Sequence, residues 1–232
     1  MTIKKDAYEE FMNEFKIEPK DLLGYAQKYT IYGDDSKVEE EWDKLKVRIE
    51  NGVSPVYIRG YGRDAKGTNL FKDFYQSVLK KANIEKDSSN NANPTKLIKE
   101  LTGYSKQVTK SGKFKQIQNY QISHIFGKTK NIYTFTAPWN IVYMPKILDP
   151  LTGHESRGTM KNEFKKMFQE EAYDRFEKYI KEYNKIVTDE EFILAKDKYL
   201  STLDNSDSGI KKFIQIINEE FSPILKDKLG TY

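Results

Sequence analysis

Between Leu101 and Leu148 the chain carries seven lysines (106, 110, 113, 115, 128, 130 and 146) and not one Asp or Glu. The pattern of apolar residues also changes there. Ile117–Ile125 and Trp139–Met144 are β-prone, with Gly127–Pro138 to connect them, whereas the flanks carry helical spacing. Tyr104–Lys115, with Ser111 and Gly112 at its middle, reads as a turn or hairpin tip. The expected fold class is α+β, a strand pair set between N- and C-terminal helices in one domain spanning 1–232.

Helices are expected over 5–23 and 37–50. The second repeats Val38, Trp42, Leu45 and Ile49 at helical spacing, with Ser36 as N-cap. Val53–Ile58 is β-prone and leads into a Gly-rich loop at 60–67, after which a helix runs from near Thr68 to Ala82. Asp87–Asn93 is a polar loop, and Pro94 opens a short helix to Leu101, which completes a mostly helical part over 1–103. Beyond the acid-free stretch a long helix spans Thr159–Val187, and Thr188-Asp189-Glu190-Glu191 matches a capping box. That box starts the C-terminal helices of 188–232, which Asn205–Gly209 breaks before Ile210.

Charge divides unevenly along this frame. Residues 1–100 hold 18 basic and 18 acidic side chains, and 149–232 hold 14 and 17, so the excess of +4 comes from the acid-free stretch. Such a stretch lets a polyphosphate approach without repulsion. With no cysteine, disulfides, thiol catalysis and cysteine-ligated zinc are excluded. No apolar run approaches the roughly 20 residues that cross a bilayer, and the N-terminus lacks an apolar signal core. A cytoplasmic protein with no membrane partner is the expectation.

The chain has two histidines. His124 ends the β-prone Tyr120–Ile125 run, and His154 sits in Asp149-Pro150-Leu151-Thr152-Gly153-His154-Glu155 ahead of the long helix. Asn140 lies between them, 16 residues after His124 and 14 before His154. Strand with His, strand opening with Asn, loop with His, helix: this order over about 117–180 resembles the HNH, or ββα-metal, nuclease family. The resemblance implies a hairpin packed on a helix around one Mg²⁺ or Mn²⁺ ion. It makes His124 the general base and gives Asn140 the role of orienting that imidazole or ligating metal. His154 becomes a metal ligand. Ser123 stands where that family often has a metal-ligating acid or His, leaving Asp149 and Glu155 as substitute ligands.

Phosphodiester hydrolysis suits these residue types. A neutral imidazole near its usual pKa of about 6.5 takes a proton from water. A hard divalent ion stabilises charge on the phosphate. Lys128, Lys130 and Lys146 would hold the backbone, and Arg59 and Arg63, two of only five arginines, flank Gly60 and Gly62, where a DNA contact is expected. Tyr120, Tyr133 and Tyr143 are candidates to stack on bases. A compact chain of this kind is most similar to a restriction endonuclease, which implies sequence-specific duplex DNA and a homodimer. Two other readings stay open: a non-catalytic DNA-binding protein, and a nuclease acting on RNA or on structured or single-stranded DNA.

Overall fold

The computed structural model describes residues 5–60, 65–108, 112–153 and 156–230. The N-terminal helical run is two helices, α1 (Ala7–Phe15) and α2 (Pro19–Tyr29), where the sequence suggested one. Lys16 adopts a left-handed conformation (φ 55°), and Pro19 follows at the first position of α2, which cannot continue a helix from the preceding turn. Helix α3 (Asp35–Asn51) buries Val38, Trp42, Leu45 and Ile49, the face that the periodicity gave. Its N-cap is Asp34 rather than Ser36, because the Asp34 carboxylate accepts from the Lys37 amide and also holds the Ser36 hydroxyl at 2.6 Å. Gly52 ends α3 at φ 65°, and a Cβ there would lie 1.6 Å from the Lys81 carbonyl oxygen, so no other residue fits.

Strand β1 (Val56–Ile58), helix α4 (Ala65–Leu79) and strand β2 (Ile84–Lys86) form a small parallel unit. Asp87 then caps α5 (Ala92–Thr102). Its fully buried carboxylate accepts from the amides of Ser89, Ala92 and Asn93 and from the Asn93 side chain. Pro94 therefore lies inside the first turn of α5 rather than opening it. Strands β3 (Tyr104–Ser105) and β4 (Lys115–Gln116) pair in parallel, which the two arms of a hairpin do not do; residues 109–111, with Ser111, lie outside the described residues.

The expected strand pair is present. Strands β5 (Tyr120–His124) and β6 (Ile141–Pro145) run antiparallel, with Tyr120 opposite Pro145 and His124 opposite Ile141. Every residue of β6 is buried, and Ile31 extends the ladder by exchanging backbone hydrogen bonds with Tyr143 at 2.9 and 3.1 Å. After the short α6 (Asp149–Thr152) comes α7 (Thr159–Val187), the longest helix, with the bounds its periodicity gave. Thr188 closes α7, and Asp189, one residue later than the expected cap, opens α8 (Glu190–Ser201) by accepting from the Phe192 amide. Helix α9 (Ser208–Glu220) and a 3-10 turn at Lys226–Lys228 follow.

Trp139 packs edge-on against Trp42 of α3 (5.6 Å) and lies 6.0 Å from Tyr183 of α7, which joins the hairpin to both helices. Gln169 of α7 is fully buried. Its amide donates to the Ile125 carbonyl (2.8 Å) and its oxygen accepts from the Gly230 amide (2.8 Å). Gln169→Ala leaves both backbone groups without these partners, so we expect a loss of roughly 1–3 kcal/mol for each group left unsatisfied. Urea unfolding reads it as a lower midpoint at unchanged slope. A midpoint equal to that of the wild type would show that the two groups are satisfied another way.

Candidate active site

His124 is the last residue of β5, and the chain leaves it through a tight loop from Ile125 to Asn140. Gly127 (φ 65°) and Lys128 (φ 51°) bend the backbone through the left-handed region. Asn140 closes the loop. Its Oδ1 accepts from the Phe126 amide (2.9 Å), and its Nδ2 donates to the carbonyls of Gly127 (3.1 Å) and Thr134 (3.0 Å). The Ile125 amide in turn donates to the Asn140 carbonyl at 2.9 Å. This geometry delivers the Phe135 carbonyl to 2.9 Å from His124 Nε2, with the two rings stacked 5.4 Å apart and 11° from parallel.

A carbonyl can only accept, so that contact places the proton on Nε2 and leaves the lone pair on Nδ1. Burial pushes the His124 imidazole down to about 4. The Phe135 carbonyl pulls the other way, Arg59 adds to the depression, and Asp87 opposes it. The expectation of an imidazole near its ordinary pKa is corrected accordingly: this ring is neutral across the whole range around pH 7.

His124 opens on a cleft of about 760 Å³. One wall is β5 and the loop after it, a second is α6 with Lys165 of α7, and a third is the end of α9 through Ser222. Arg59 enters from the end of β1, held by its amide on the Thr129 carbonyl at 2.9 Å. Lys130 and Asp149 line the same cleft, and Asp149 accepts from Gln121 Nε2 at 2.7 Å.

The structure thus brings together His124, Arg59, Lys128, Lys130 and Asp149 from the expected set around one cleft. His154, Glu155 and Arg63 lie outside the described residues. Asn140 departs from both expected roles. It is fully buried, its amide is engaged at both ends by backbone, and it orients the imidazole only indirectly, through the loop that carries Phe135. Lys128 also has another task. It is buried, and its ammonium donates to the Glu219 carbonyl and the Ser222 hydroxyl, so it braces the C-terminal segment instead of presenting charge to a phosphate. Lys146 is exposed at the far end of the hairpin and does not line the cleft. Tyr133 and Tyr143 are buried and unavailable for stacking on bases, and Tyr120 is half-buried.

Two features of the site escaped the sequence. The Phe135 carbonyl is a main-chain group and carries no residue signal. Lys165 was hidden in the charge-dense face of α7, yet it lines the cleft, and burial with some repulsion from Lys161 pushes its ammonium down to about 8. As for the metal, Asp149 is a carboxylate on the cleft wall and fits a hard ion, whereas Asn140 does not. Among the described residues no group of three or more His, Cys, Asp or Glu converges on one point.

Fold and cleft define an α+β protein, mostly helical, with an antiparallel strand pair at its centre. The chain belongs to the family described as Uncharacterised protein PM1201, whose profile matches residues 34–226 and so includes every cleft residue named above. A relative bearing that description, from Pasteurella multocida (strain Pm70), is 39% identical over 225 residues, which cover 96% of this chain and 99% of the relative. No solved structure matches. No helix among the described residues is long and apolar enough to cross a membrane.

The depressed imidazole makes a measurable pH dependence. An unfolded His binds its proton near pH 6.5, whereas folded His124 does so only near 4. Its neutral form therefore contributes stability in full above pH 6.5, and that contribution is lost as pH falls toward 4. Melting curves of wild type and His124→Leu between pH 8 and 4 are expected to converge, or cross, on acidification across this window. Parallel curves would show an imidazole titrating at its ordinary value.

Proposed function

We propose that this chain is a metal-dependent endonuclease of HNH type that hydrolyses phosphodiester bonds in DNA. The observation that carries the reading is the His124 pair. Nε2 is fixed on the Phe135 carbonyl, so Nδ1 is the basic nitrogen, and the residue lines a cleft with Arg59, Lys130 and Lys165. Water accepted at Nδ1 gives up a proton to it as its oxygen attacks phosphorus, and the bond from phosphorus to the leaving oxygen breaks. Arg59 and the lysines hold the non-bridging oxygens, and the neighbouring carbonyl bond keeps the imidazole from turning. A divalent ion at Asp149, with His154 as the further ligand that the resemblance implies, would supply charge neutralisation on phosphate and leaving group.

One observation favours a second reading, a non-catalytic nucleic-acid-binding protein: an imidazole of pKa about 4 is a weak base. Single-turnover cleavage of plasmid with Mg²⁺, Mn²⁺ or EDTA separates the two. For the nuclease, His124→Ala is expected to lose about 10²–10⁴-fold in rate while DNA affinity moves little. The wild-type rate is expected to show no limb at the ordinary imidazole pKa of about 6.5. A wild type that never cuts, or a folded, DNA-saturated His124→Ala within tenfold of it, would end the catalytic reading. Discrete fragments support a sequence-specific, restriction-type enzyme, and a smear supports one that cuts without sequence preference. Lys165→Gln is expected to weaken DNA binding and reduce the slope of log affinity on log salt by about 0.9. An unchanged slope would remove Lys165 from the phosphate contacts.

A further inference from the structure

At the end of the β5–β6 hairpin opposite His124, aromatic and basic side chains meet on one surface. Tyr25 and Tyr29 stand one helical turn apart on α2, 42% and 39% exposed, with ring centroids 4.7 Å apart. The Lys28 ammonium lies 5.2 Å from the Tyr29 ring. The Ile31–Tyr143 bridge, directly after α2, anchors this helix end on β6. Tyr120 opens β5 opposite Pro145, and its hydroxyl feels those of Tyr25, Tyr29 and Tyr104. Tyr104 of β3 is fixed through its carbonyl by the Tyr143 hydroxyl at 3.3 Å.

Two lysines directly follow the strand ends that carry these rings. Lys146 follows Pro145 and donates its amide to the Asn119 carbonyl at 2.8 Å, and Lys106 follows β3. Burial, with repulsion from Lys146 and from Lys99 of α5, depresses the Lys106 ammonium. Four tyrosines and four lysines, Lys28 included, therefore gather at this end of the strand pair, drawn partly from the stretch that has no acid.

We propose that this surface is a second nucleic-acid site, which takes the unpaired bases of a DNA strand on Tyr25, Tyr29 and Tyr120 and its phosphates on Lys106 and Lys146. Aromatic faces are of no use to a paired, stacked duplex, whose bases already cover one another, whereas an unpaired base gains by stacking on them. The five residues of β5 separate this surface from His124 by about 14 Å, or roughly four stacked nucleotides. The inference rests on the nuclease reading and narrows it. The substrate is DNA with a single-stranded segment next to the bond that is cut.

The test uses fluorescence anisotropy in EDTA, where nothing is cut, with labelled oligo(dT) and a duplex of equal length. Tyr25→Ala/Tyr29→Ala, both at exposed positions, is expected to lose about fivefold or more in oligo(dT) affinity for each ring. Its duplex affinity and its salt slope are expected to stay as in wild type. Tyr25→Phe/Tyr29→Phe is expected to keep wild-type affinity, since the ring and not the hydroxyl does the stacking. Lys106→Gln/Lys146→Gln is expected to lower the single-strand salt slope by about 0.7 for each lysine. Unchanged oligo(dT) affinity in the alanine variant overturns the proposal, and so does equal loss on duplex. A dimer that the alanine variant dissociates in sedimentation velocity, without any change in DNA affinity, also overturns it and makes this face a contact between copies. Failure of the nuclease reading looks different: oligo(dT) binding depends on the tyrosines, but the wild type cuts nothing. Cleavage that depends on His124 with no effect of the tyrosines leaves the nuclease standing and removes the second site.

Discussion

The side chain of Asn140 is the constraint on which the centre of the molecule depends. One buried amide satisfies three backbone groups, on Phe126, Gly127 and Thr134, that no helix or sheet could reach. A loop buried this deeply is costly unless its peptide groups find partners. With them satisfied, the segment from Ile125 to Trp139 becomes part of the core, and Phe126, Ile132, Phe135 and Trp139 are all buried. The position of the Phe135 carbonyl, and through it the tautomer of His124, is a consequence of that amide.

The loop is also held from outside. Tyr75 of α4 donates to the Lys130 carbonyl (2.6 Å) and accepts from the Ile132 amide (3.1 Å). Asn131 donates to the Tyr183 hydroxyl and to the Glu220 carbonyl, and the Glu220 carboxylate accepts from the Lys130 amide. Burial raises Glu220 to about 7, partly offset by Lys130 and Lys128. A raised carboxyl stabilises the fold at low pH and loses that contribution as pH climbs through its folded value, the opposite of His124. The two groups, which line one cleft, thus offset each other on the acid side, between about pH 4.5 and 6.5.

What the sequence made legible was whatever repeats. The buried face of α3 and the full extent of α7 follow from helical spacing, and the strand pair follows from two β-prone runs on either side of a turn-rich segment. His124 was visible because histidine is scarce and its neighbours placed it at a strand end. The two short parallel pairings were not visible, since two or three residues carry no period and their partners are chosen by tertiary packing. The break between α1 and α2 turns on a left-handed lysine that nothing in its identity announces. Asn140 and Lys128 were legible as polar residues near a site. Whether a polar side chain faces solvent or closes a loop depends on burial, and composition does not encode that.

The bonds that set the candidate base join segments far apart in the chain: Tyr75 with Lys130, Asn131 with Glu220, and Gln169 with both Ile125 and Gly230. Synthesis delivers these partners in order, Glu220 and Gly230 after the others. Until they arrive, the Lys128 ammonium and the Asn131 amide have no acceptor in the C-terminal segment, and the third wall of the cleft is missing. A nascent chain can build the strand pair early, because β5 and β6 are near neighbours in sequence. The cleft around it closes only once the segment through Ser222 has been made, so a chain released before that point would carry His124 without the surroundings that make it a site.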